Sequence, residues 1–337
     1  LIKKNTTILN AVKVLQKIKY KTLVVIDDNQ KIIGTITDGD IRRGMLNGYN
    51  LNTKVDKITN KKPKKKIIGK EYPPPKNNED IDLIPCVDKS NKIKDLEILK
   101  NKNFNKNFVN ELEIILMAGG FGKRLMPLTK NTPKPLLKVK KKSLLEIAMN
   151  NFKKYGVTQF NISIYYKSKK IKEYFNKKKF NNFKINFLNE KIPLGTAGCL
   201  SLLNQKNIKE NILVYNGDII SDINILNLLK FHQDTNSDIT VCAKEFSESS
   251  PFGQIFHRGH KIKKIVEKPK KKNFVNAGIY LIKKKLIRNL PVKSIKMTDF
   301  IESKIIKGYN VNIYPIYEYW VDIGDKDVFK KILNKKN

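Results

Sequence analysis

The chain has 337 residues, and 68 Lys and Arg against 31 Asp and Glu give it a formal net charge of +37. At about 100–200 residues per domain, this length predicts two or three domains. A hydrophobic content of 40% excludes a wholly disordered chain. No apolar run approaches the ~20 residues that span a bilayer, which excludes an integral membrane protein.

The type of cation argues against nucleic acid as a partner. Only five of the basic residues are Arg, whereas nucleic-acid readers depend on the bidentate guanidinium group. The lysines are spread along the whole chain, often beside Asn, as is typical of an AT-rich coding sequence. We therefore expect most of the charge to be solvated surface, with neither nucleic acid nor membrane as a partner.

Cysteine and histidine give few signals. Cys86, Cys199 and Cys242 are far apart and form no C-x-x-C pair, so neither a disulfide framework nor a zinc site is predicted. The three histidines are too scattered for a metal cluster or a catalytic triad. With no signal peptide recognised at the N-terminus, these features favour the reducing cytoplasm.

The first 99 residues predict a small α+β domain with an internal repeat. Thr6–Lys19 has helical spacing of apolar residues with Thr6 or Thr7 as its N-cap, Thr22–Ile26 and Lys31–Ile36 are strands, and a Thr or Asp of the segment TDGD caps a following helix. Ile81–Asp88 and the strand from Lys92 to Leu99 form a weaker second copy. The stretches KKPKKK and YPPPKNN between the copies predict loops.

A polar, Asn- and Lys-rich linker at residues 100–110 separates this domain from a second one at residues 111–337. From there strands and helices alternate, which predicts a doubly wound α/β sheet. Strands are predicted at 114–118, 159–165, 185–188, 212–215, 238–243, 262–266 and 277–282. Helices are predicted at 143–155, 171–175, 196–203 and 225–232.

The strongest motif is LMAGGFGKRLMPLTKNTPKPLLKV, which spans Leu116–Val139. A hydrophobic strand runs into Gly119, Gly120 and Gly122, and glycines after a strand let backbone N–H groups approach a phosphate. The motif is neither a Walker A loop nor a dinucleotide G-x-G-x-x-G loop. Arg124 and Lys134 follow, and two cations at such a turn suit a triphosphate.

Further segments continue this pattern along the chain. EKIPLGTAGCL begins at Glu190, and YNGDI places Asp218 directly after a buried strand, at the sheet edge where open α/β proteins bind ligands. YWVDIGD supplies a second carboxylate, Asp322. Two carboxylates together with phosphate oxygens are ligands that Mg²⁺ prefers.

Together these segments closely resemble the signature of the sugar-1-phosphate nucleotidyltransferases, over about residues 111–333. The resemblance implies a Rossmann-like mixed sheet of the GT-A type. It also implies that a sugar 1-phosphate attacks the α-phosphorus of a nucleoside triphosphate, so that a nucleotide sugar and pyrophosphate form with Mg²⁺ as cofactor.

The resemblance assigns roles residue by residue. Arg124, Lys134 and Asp218 are the expected catalytic residues, with Asp218 and Asp322 as metal ligands. The nucleotide would be bound by Leu116, Ala118, Gly119, Gly120, Gly122, Glu190, Gly195, Thr196 and Ala197. The sugar phosphate would be bound by Gly253, Glu267, Lys268 and Asn276.

Glu190 indicates which nucleobase the protein accepts. It stands where relatives that take thymidine or uridine triphosphate often have Gln, and a carboxylate only accepts hydrogen bonds. Guanine presents adjacent N1–H and N2–H₂ donors, so GTP is favoured. The expected acceptor is a hexose or hexosamine 1-phosphate, as in the glucosamine-1-phosphate and mannose-1-phosphate guanylyltransferases.

The N-terminal repeat resembles a pair of cystathionine-β-synthase-type (CBS) modules. Their adenosine-phosphate motif corresponds to Gly34–Asp40, in which Thr37 would meet phosphate and Asp40 a ribose. Arg42 and Arg43 follow near the same end. The second copy lacks this motif, so regulation by an adenine nucleotide and a purely structural role both remain open, and a homo-oligomer is expected.

Three alternatives remain. The enzyme could use glucose 1-phosphate with dTTP or UTP. The chain could be a non-catalytic nucleotide sensor, although Arg124, Lys134, Asp218 and Asp322 together argue against it. Nucleic-acid binding through the Lys excess would require affinity that falls steeply with salt.

Overall fold

The computed structural model describes residues 1–18, 20–70, 72, 81–99, 111–204 and 206–334. The chain divides into two compact units, Leu1–Phe104 and Asn105–Asn337, here called the N-terminal and C-terminal units. The predicted linker at residues 100–110 and most of the YPPPKNN loop lie outside the described residues. Within the described part of the chain, no helix combines the length and apolar character needed to cross a bilayer.

The N-terminal unit contains two three-stranded sheets, ordered β1-β2-β3 and β4-β5-β6. Its strands are β1 Ile2–Lys3, β2 Thr22–Ile26, β3 Ile32–Thr37, β4 Lys66–Ile67, β5 Leu83–Val87 and β6 Ile93–Ile98. Its helices are α1 Ile8–Lys17 and α2 Asp38–Leu46. The elements predicted for both copies are therefore present close to their expected bounds.

Local capping explains where the two helices begin. The Thr7 side chain accepts a hydrogen bond from the backbone N–H of Asn10 at the start of α1. At α2, Thr37 and Asp40 form a reciprocal capping box, which satisfies two otherwise free N–H groups. Both caps use residues that sequence patterning had marked.

The two copies share one core within the N-terminal unit. The turns after β2 and β5 meet in a bridge between Lys31 and Lys92. Buried side chains from both copies then pack together, among them Val24, Ile32, Leu83 and Val87. The repeat is thus a pair of modules whose strands bury a common apolar surface.

The C-terminal unit is built on 13 described strands, of which seven form one sheet. The strands are β7 Leu112–Met117, β8 Lys138–Val139, β9 Lys142–Ser143, β10 Gln159–Ile164, β11 Lys184–Asn189, β12 Asn211–Asn216, β13 Ile219–Ser221, β14 Ile239–Ser249, β15 Gln254–Arg258, β16 Lys261–Val266, β17 Lys270–Lys283, β18 Val311–Ile316 and β19 Trp320–Asp322. The helices are α3 Leu144–Lys153, α4 Ser168–Phe175, α5 Gly195–Gly198, α6 Ile225–Asp234, α7 Met297–Ile306 and α8 Lys326–Asn334.

The central sheet is mixed and has the order β11-β10-β7-β12-β17-β14-β18. Strands β11, β10, β7 and β12 pair in parallel, whereas β17 runs antiparallel to both of its neighbours. β7 lies between β10 and β12, so the chain order reverses beside it. The predicted α/β fold with a Rossmann-like mixed sheet is confirmed, and a crevice is expected at this switch point.

Alternation of side chains along β7 builds a core on both faces of the sheet. Ile114 and Leu116 face one side, with residues of α3, α4 and α6. Ile115 faces the other side, with residues of α5 and α7. The unit therefore has three layers, because β7, β12 and β17 bury apolar residues on both faces.

The outer part of the sheet extends further than the sequence pattern predicted. β14 and β17 continue their antiparallel pairing out to Ser249 and Lys270, past the core. The hairpin of β15 and β16 lies between them, and residues 246–272, here called the arm, are mostly exposed. Apolar alternation does not mark these strands because cross-strand pairing rather than core burial holds them.

Candidate active site

The carboxyl ends of three parallel strands meet at one edge of the central sheet. Met117 of β7 is in register with Ser163 of β10 on one side and with Asn216 of β12 on the other. The backbone N–H of Gly217 donates to the carbonyl of Met117 at 2.9 Å. A side chain at Gly217 would collide with that carbonyl oxygen, so glycine allows the two loops to approach closely.

A cavity of about 250 Å³ opens at this edge. Seven of the predicted site residues line it, namely Gly119, Gly120, Lys134, Glu190, Gly195, Thr196 and Asp218. Six other residues complete the lining, namely Met117, Phe121, Pro135, Pro193, Asn216 and Gly217. Motifs separated by about one hundred residues in the sequence therefore converge on one pocket.

The Gly-rich turn requires glycine at two positions. Gly122 has φ of +66°, a left-handed conformation, and a Cβ there would lie 3.0 Å from Thr129 and 3.1 Å from Lys134. A Cβ at Gly119 would lie 3.0 Å from the carboxylate of Glu190. The absence of a side chain at Gly119 leaves that carboxylate open to the cavity.

Glu190 follows β11 and is held at both carboxylate oxygens. Its Oε1 accepts a hydrogen bond from Ser163 Oγ at 2.6 Å, and its Oε2 accepts one from the backbone N–H of Leu194 at 2.8 Å. Each oxygen has a further lone pair for a ligand. The side chain therefore has a fixed position at one end of the cavity.

Hydrogen bonds hold the Gly195–Gly198 segment in place. The resemblance assigns Gly195, Thr196 and Ala197 to the nucleotide, but the backbone N–H groups of Ala197 and Gly198 donate to the carbonyl of Ile295 at 2.9 and 3.3 Å. The Thr196 hydroxyl accepts the N–H of Met297 at 2.7 Å and so caps α7. A loop of the same unit therefore occupies the backbone donors of Ala197 and Gly198.

Lys134 and Asp218 form an ion pair at the other part of the cavity. Lys134 begins a short 3₁₀ turn after Pro133, and its Nζ lies 2.5 Å from Asp218 Oδ2. The side chains are 11% and 27% exposed, so water screens the pair only partly. Lys167 and Lys170 donate to carbonyls of the loop that leads to Lys134, including a 3.0 Å bond to Thr129.

Asp322 is brought beside Asp218 by the pairing of β13 and β19. Ile219 is in register with Asp322, and the N–H of Ile323 donates to the carbonyl of Asp218 at 3.0 Å. Burial, and then the charge of Asp218, raise the pKa of Asp322 above its usual value, against the opposing charges of Lys134 and Arg124. Arg124 is exposed and lies beside Gly324, two residues after Asp322. A Cβ built on Gly324 would lie 3.2 Å from its Nη1.

The two carboxylates fit a divalent cation that is shared with substrate. Asp322 Oδ1 is buried without a hydrogen-bond partner among the described residues, so an acceptor oxygen is left for another group. In the described part of the chain, no group of three or more His, Cys, Asp and Glu side chains could hold a metal alone. Mg²⁺ suits such a two-carboxylate site because it takes its other ligands from water and phosphate oxygens.

The four predicted sugar-phosphate residues do not line this cavity. Gly253, Glu267 and Lys268 belong to the arm, where a Cβ at Gly253 would lie 3.0 Å from Glu267 Oε2. Lys268 has φ of +44° at the turn into β17. Asn276 lies farther along β17, and its side chain accepts the N–H of Gly278 at 2.9 Å.

Three predicted nucleotide-binding residues have their side chains in the core. Leu116 and Ala118 are 0% and 1% exposed, and Ala197 is 0% exposed. Gly122 is near the cavity but does not line it. These residues shape the backbone around the pocket, and side-chain contact with a ligand is not available to the buried three.

The motif comparison missed the six further residues that line the cavity, as well as Ser163. Met117, Phe121 and Asn216 are among the six, and Ser163 holds Glu190. Ser163 is one of two polar residues in the buried strand segment FNISI, and Asn216 ends a buried strand. Polar side chains at the carboxyl ends of buried strands were the signal that could have found these two.

In the N-terminal unit, Thr37 and Asp40 bond to each other. Thr37 Oγ1 donates to Asp40 Oδ2 at 2.8 Å, and Arg43 donates to Asp40 Oδ1 at 2.6 Å. Arg42 is 1% exposed and pairs with Asp38 at 2.8 Å, so its charge does not face solvent. Its role here is to hold the first turn of α2.

Two family models match parts of this chain. The model of the Nucleotidyl transferase family matches residues 113–336, and the model of the CBS domain matches residues 1–47. A protein of Sulfolobus acidocaldarius is 32% identical over 213 residues, which cover 62% of this chain and 59% of that protein. The chain spans about three fifths of the length of such relatives.

Two further relatives cover the same region. The D-glycero-alpha-D-manno-heptose 1-phosphate guanylyltransferase of Aneurinibacillus thermoaerophilus is 27% identical over 225 residues, 65% of this chain and 96% of that enzyme. The mannose-1-phosphate guanylyltransferase catalytic subunit beta of Dictyostelium discoideum is 28% identical, over 65% of this chain and 62% of that subunit.

A solved structure has the same fold. The crystal structure of HddC from Yersinia pseudotuberculosis superposes with a TM-score of 0.52 at 25% identity, covering 66% of this chain and 97% of that one. The family match extends over more than half of the chain and includes every segment that lines the cavity. The chain therefore belongs to the nucleotidyl transferase family, and its first 47 residues match a CBS domain.

Proposed function

We propose that the protein transfers a guanylyl group from GTP to a sugar 1-phosphate and releases pyrophosphate. The single observation that carries this proposal is the convergence of Gly119, Glu190, Lys134 and Asp218 on one cavity at the switch point of the sheet. The glycines and Glu190 suit a nucleoside, while Lys134 and Asp218 suit phosphate and metal chemistry. Relatives named as guanylyltransferases of mannose-type 1-phosphates support the same activity.

The chemistry is a direct displacement at phosphorus. An oxygen of the sugar phosphate forms a bond to the α-phosphorus of GTP, and the bond from that phosphorus to the bridging oxygen of pyrophosphate breaks. A nucleotide sugar and pyrophosphate are the products, with no covalent enzyme intermediate. Positioning and charge stabilisation by the protein are then the main sources of rate.

The cations of this chain have separate tasks in the proposal. Lys134 leaves Asp218 in part to contact the α-phosphate and the incoming sugar phosphate, since both anions compete for its ammonium group. Arg124, which is exposed beside Gly324, pairs with the β- and γ-phosphates as they leave. Gly119 and Gly120 let the backbone approach the triphosphate.

Asp218 and Asp322 would hold Mg²⁺, which is the proposed cofactor. The orphaned Oδ1 of Asp322 supports this assignment. A bound Mg²⁺ would withdraw charge from the α-phosphate and orient it. The chain's own part is to present two carboxylates that are fixed by the β13 and β19 pairing.

The base and the sugar are proposed with different support. Glu190 accepts hydrogen bonds only, which favours guanine over uracil, thymine or cytosine at that end of the cavity. For the sugar we propose a hexose or hexosamine 1-phosphate, and a manno-configured acceptor is the first to test because of the named relatives. Gly253, Glu267, Lys268 and Asn276 would close over it from the arm and β17.

We also propose where the enzyme acts, how it is regulated and how its domains are organised. The three buried cysteines, none of which forms a disulfide within the described part of the chain, fit the reducing cytoplasm as the place of reaction. The N-terminal unit is proposed to bind an adenine nucleotide at Thr37 and Asp40 as a regulator, and the chain is proposed to form a homo-oligomer. A two-domain organisation at residues 1–99 and 111–337, joined by a linker at 100–110, is part of this proposal.

The test is a panel of GTP, UTP, dTTP and CTP against the 1-phosphates of mannose, glucose and glucosamine, with pyrophosphate release as the readout. GTP should be preferred with at least one of these sugars. Preference for UTP or dTTP with glucose 1-phosphate would favour the alternative thymidylyl- or uridylyltransferase. Binding of nucleotides without pyrophosphate release from any pair would favour the non-catalytic sensor.

A further inference from the structure

Ser163 is a buried hydroxyl beside the base end of the cavity. The residue is 0% exposed, and its Oγ donates to Glu190 Oε1 at 2.6 Å. Because no water reaches it, the hydroxyl has no solvent partner to exchange with. A charge-assisted hydrogen bond in such a place is stronger than one at the surface.

The sheet itself determines where this hydroxyl lies. Ser163 pairs with Met117 of β7 and with Leu188 of β11, and the N–H of Glu190 donates to the carbonyl of Ile164 at 3.0 Å. The positions of the donor and of the carboxylate are therefore both fixed by strand register. The side chain of Glu190 needs no movement to reach Ser163.

The other oxygen of Glu190 is fixed as well. Oε2 accepts the N–H of Leu194 at 2.8 Å, and Gly119 leaves Oε1 uncovered on the cavity side. Each carboxylate oxygen then keeps a lone pair for a ligand after it has accepted one internal bond. Two parallel acceptors with fixed spacing result.

The neighbouring Cys199 thiol also hydrogen-bonds to Ser163, but it carries no charge. Burial, and then the charge of Glu190, raise the pKa of Cys199 to about 12, so the thiol stays neutral at physiological pH. Its sulfur lies 3.2 Å from the sulfur of Met117, which lines the cavity. The thiol therefore adds no second negative charge beside Glu190.

We propose that Ser163 is a positioning residue for nucleobase selectivity, which holds the Glu190 carboxylate in the orientation that accepts two adjacent donors of a purine. The donors in question are a ring N–H and an exocyclic amino group, as guanine carries them. This inference rests on the proposed guanylyl transfer and assigns part of its selectivity to a residue that does not touch the substrate. A free Glu190 would still accept hydrogen bonds, but with poorer alignment.

The experiment compares kcat/KM for GTP and for ITP, which lacks the exocyclic amino group, in the full-length wild type and in Ser163→Ala. Loss of a hydrogen bond to a charged group predicts a GTP preference of roughly 10-fold or more in the wild type. In Ser163→Ala this ratio should fall by about 5-fold or more through a higher KM for GTP, with kcat at saturation nearly unchanged.

Ser237→Ala is the matched control. Ser237 is also 0% exposed, and its hydroxyl bonds to Thr235 and Asn312 away from the cavity lining. This variant should keep the wild-type ratio. A Ser163→Ala enzyme that keeps the wild-type ratio, or that loses activity with GTP and ITP equally, would overturn the inference and leave Ser163 a structural residue.

Ser163→Cys provides a second variant that keeps the side-chain volume but donates weakly. It should lower the GTP to ITP ratio in the same direction as Ala by a smaller factor, and an unchanged ratio contradicts the proposal. The proposed function fails separately, if the wild type prefers a pyrimidine triphosphate. A wild type that prefers GTP while both variants keep its ratio would reject only the role of Ser163.

Discussion

Lys134 and Arg124 each bring a cation to the carboxylates that end β12 and β19. Lys134 is largely buried and paired with Asp218, whereas Arg124 is exposed beside Gly324. A buried cation has its position set by the fold, but an exposed one is free to follow a leaving group. This difference suits Lys134 to the reacting phosphorus and Arg124 to pyrophosphate.

Arg124→Lys should lower kcat by about 10- to 100-fold, because a point charge replaces a planar fork that can bind two phosphate oxygens. Steady-state rates of pyrophosphate release measure this effect. Arg258→Lys, at an exposed residue of β15, is the matched control and should retain the wild-type rate. An Arg124→Lys enzyme with the rate of that control would show that no bidentate contact is made.

Much of the residue-level site was predictable because phosphate chemistry leaves a local pattern. Gly119, Lys134 and Asp218 lie in short motifs whose spacing reflects a strand followed by a turn. Ser163 is different, because its partner Glu190 is brought to it by the parallel pairing of β10 and β11. A contact created by strand register has no signature in the residues that flank either partner.

Among the elements, α7 begins with a cap from a distant segment. Its own N-cap residue, Lys296, makes no side-chain capping bond, and the Thr196 hydroxyl accepts the N–H of Met297 instead. One side chain thus links the cavity wall to the helix that packs under it. The sequence around Lys296 gave no sign of this helix start, because the capping residue is 101 positions away.

Thr196→Val should lower the free energy of unfolding of the C-terminal unit by about 1 kcal/mol, the usual effect of losing a helix cap. Denaturant unfolding followed by circular dichroism measures it. Thr298→Val in the first turn of the same helix is the control, because among the described residues its hydroxyl hydrogen-bonds to the exposed Asp299 alone, and the change should be small. Equal effects of the two variants would refute the distant cap.

Strands were predicted most accurately where both of their faces are buried. β7, β10 and β12 were predicted within one or two residues, because apolar runs in β7 and β12 and alternating apolar residues in β10 mark buried strands. β15 and the outer halves of β14 and β17 were missed, since exposed Lys, Ser and Glu dominate those outer halves and β15 is exposed along its whole length. Pairing between β14 and β17 maintains those segments without any apolar periodicity.

At the scale of the whole molecule, one buried histidine links stability to pH. His232 of α6 is 0% exposed, with Nδ1 2.8 Å from Thr240 Oγ1 and no hydrogen-bond partner for Nε2 among the described residues. Burial, and then the charge of Lys283, lower the pKa of His232 to about 4. The unfolded chain therefore binds this proton at a higher pH than the folded one does.

Stability should accordingly fall as pH decreases from about 6.5 to about 4, by roughly 2–3 kcal/mol from this group alone. His232→Asn, which retains a polar atom for Thr240, should be less stable at pH 7 yet show a shallower loss over that window. Chemical denaturation at several pH values tests this. The exposed His257, changed to Asn, is the control, and a wild-type slope in His232→Asn would contradict the prediction.

The cations behind the net charge of +37 fall into two groups with different effects. Most of it is solvated Lys, which raises the local concentration of polyphosphate anions without selecting one. Selection belongs to the few cations that the fold brings to the sheet edge, above all Lys134 beside Asp218. This distribution of charge predicts a pair of small phosphorylated substrates rather than a nucleic acid.

The central claim is attack at the α-phosphorus of GTP, and the fate of isotopic label tests it most directly. Full-length protein is incubated with Mg²⁺, mannose 1-phosphate or another accepted sugar 1-phosphate, and GTP labelled at either the α- or the γ-phosphate. We predict that label from the α-phosphate enters a nucleotide sugar and that label from the γ-phosphate enters pyrophosphate. Both transfers should occur only when sugar phosphate is present. Transfer of γ-label to the sugar, or release of γ-label as orthophosphate without sugar phosphate, would contradict it.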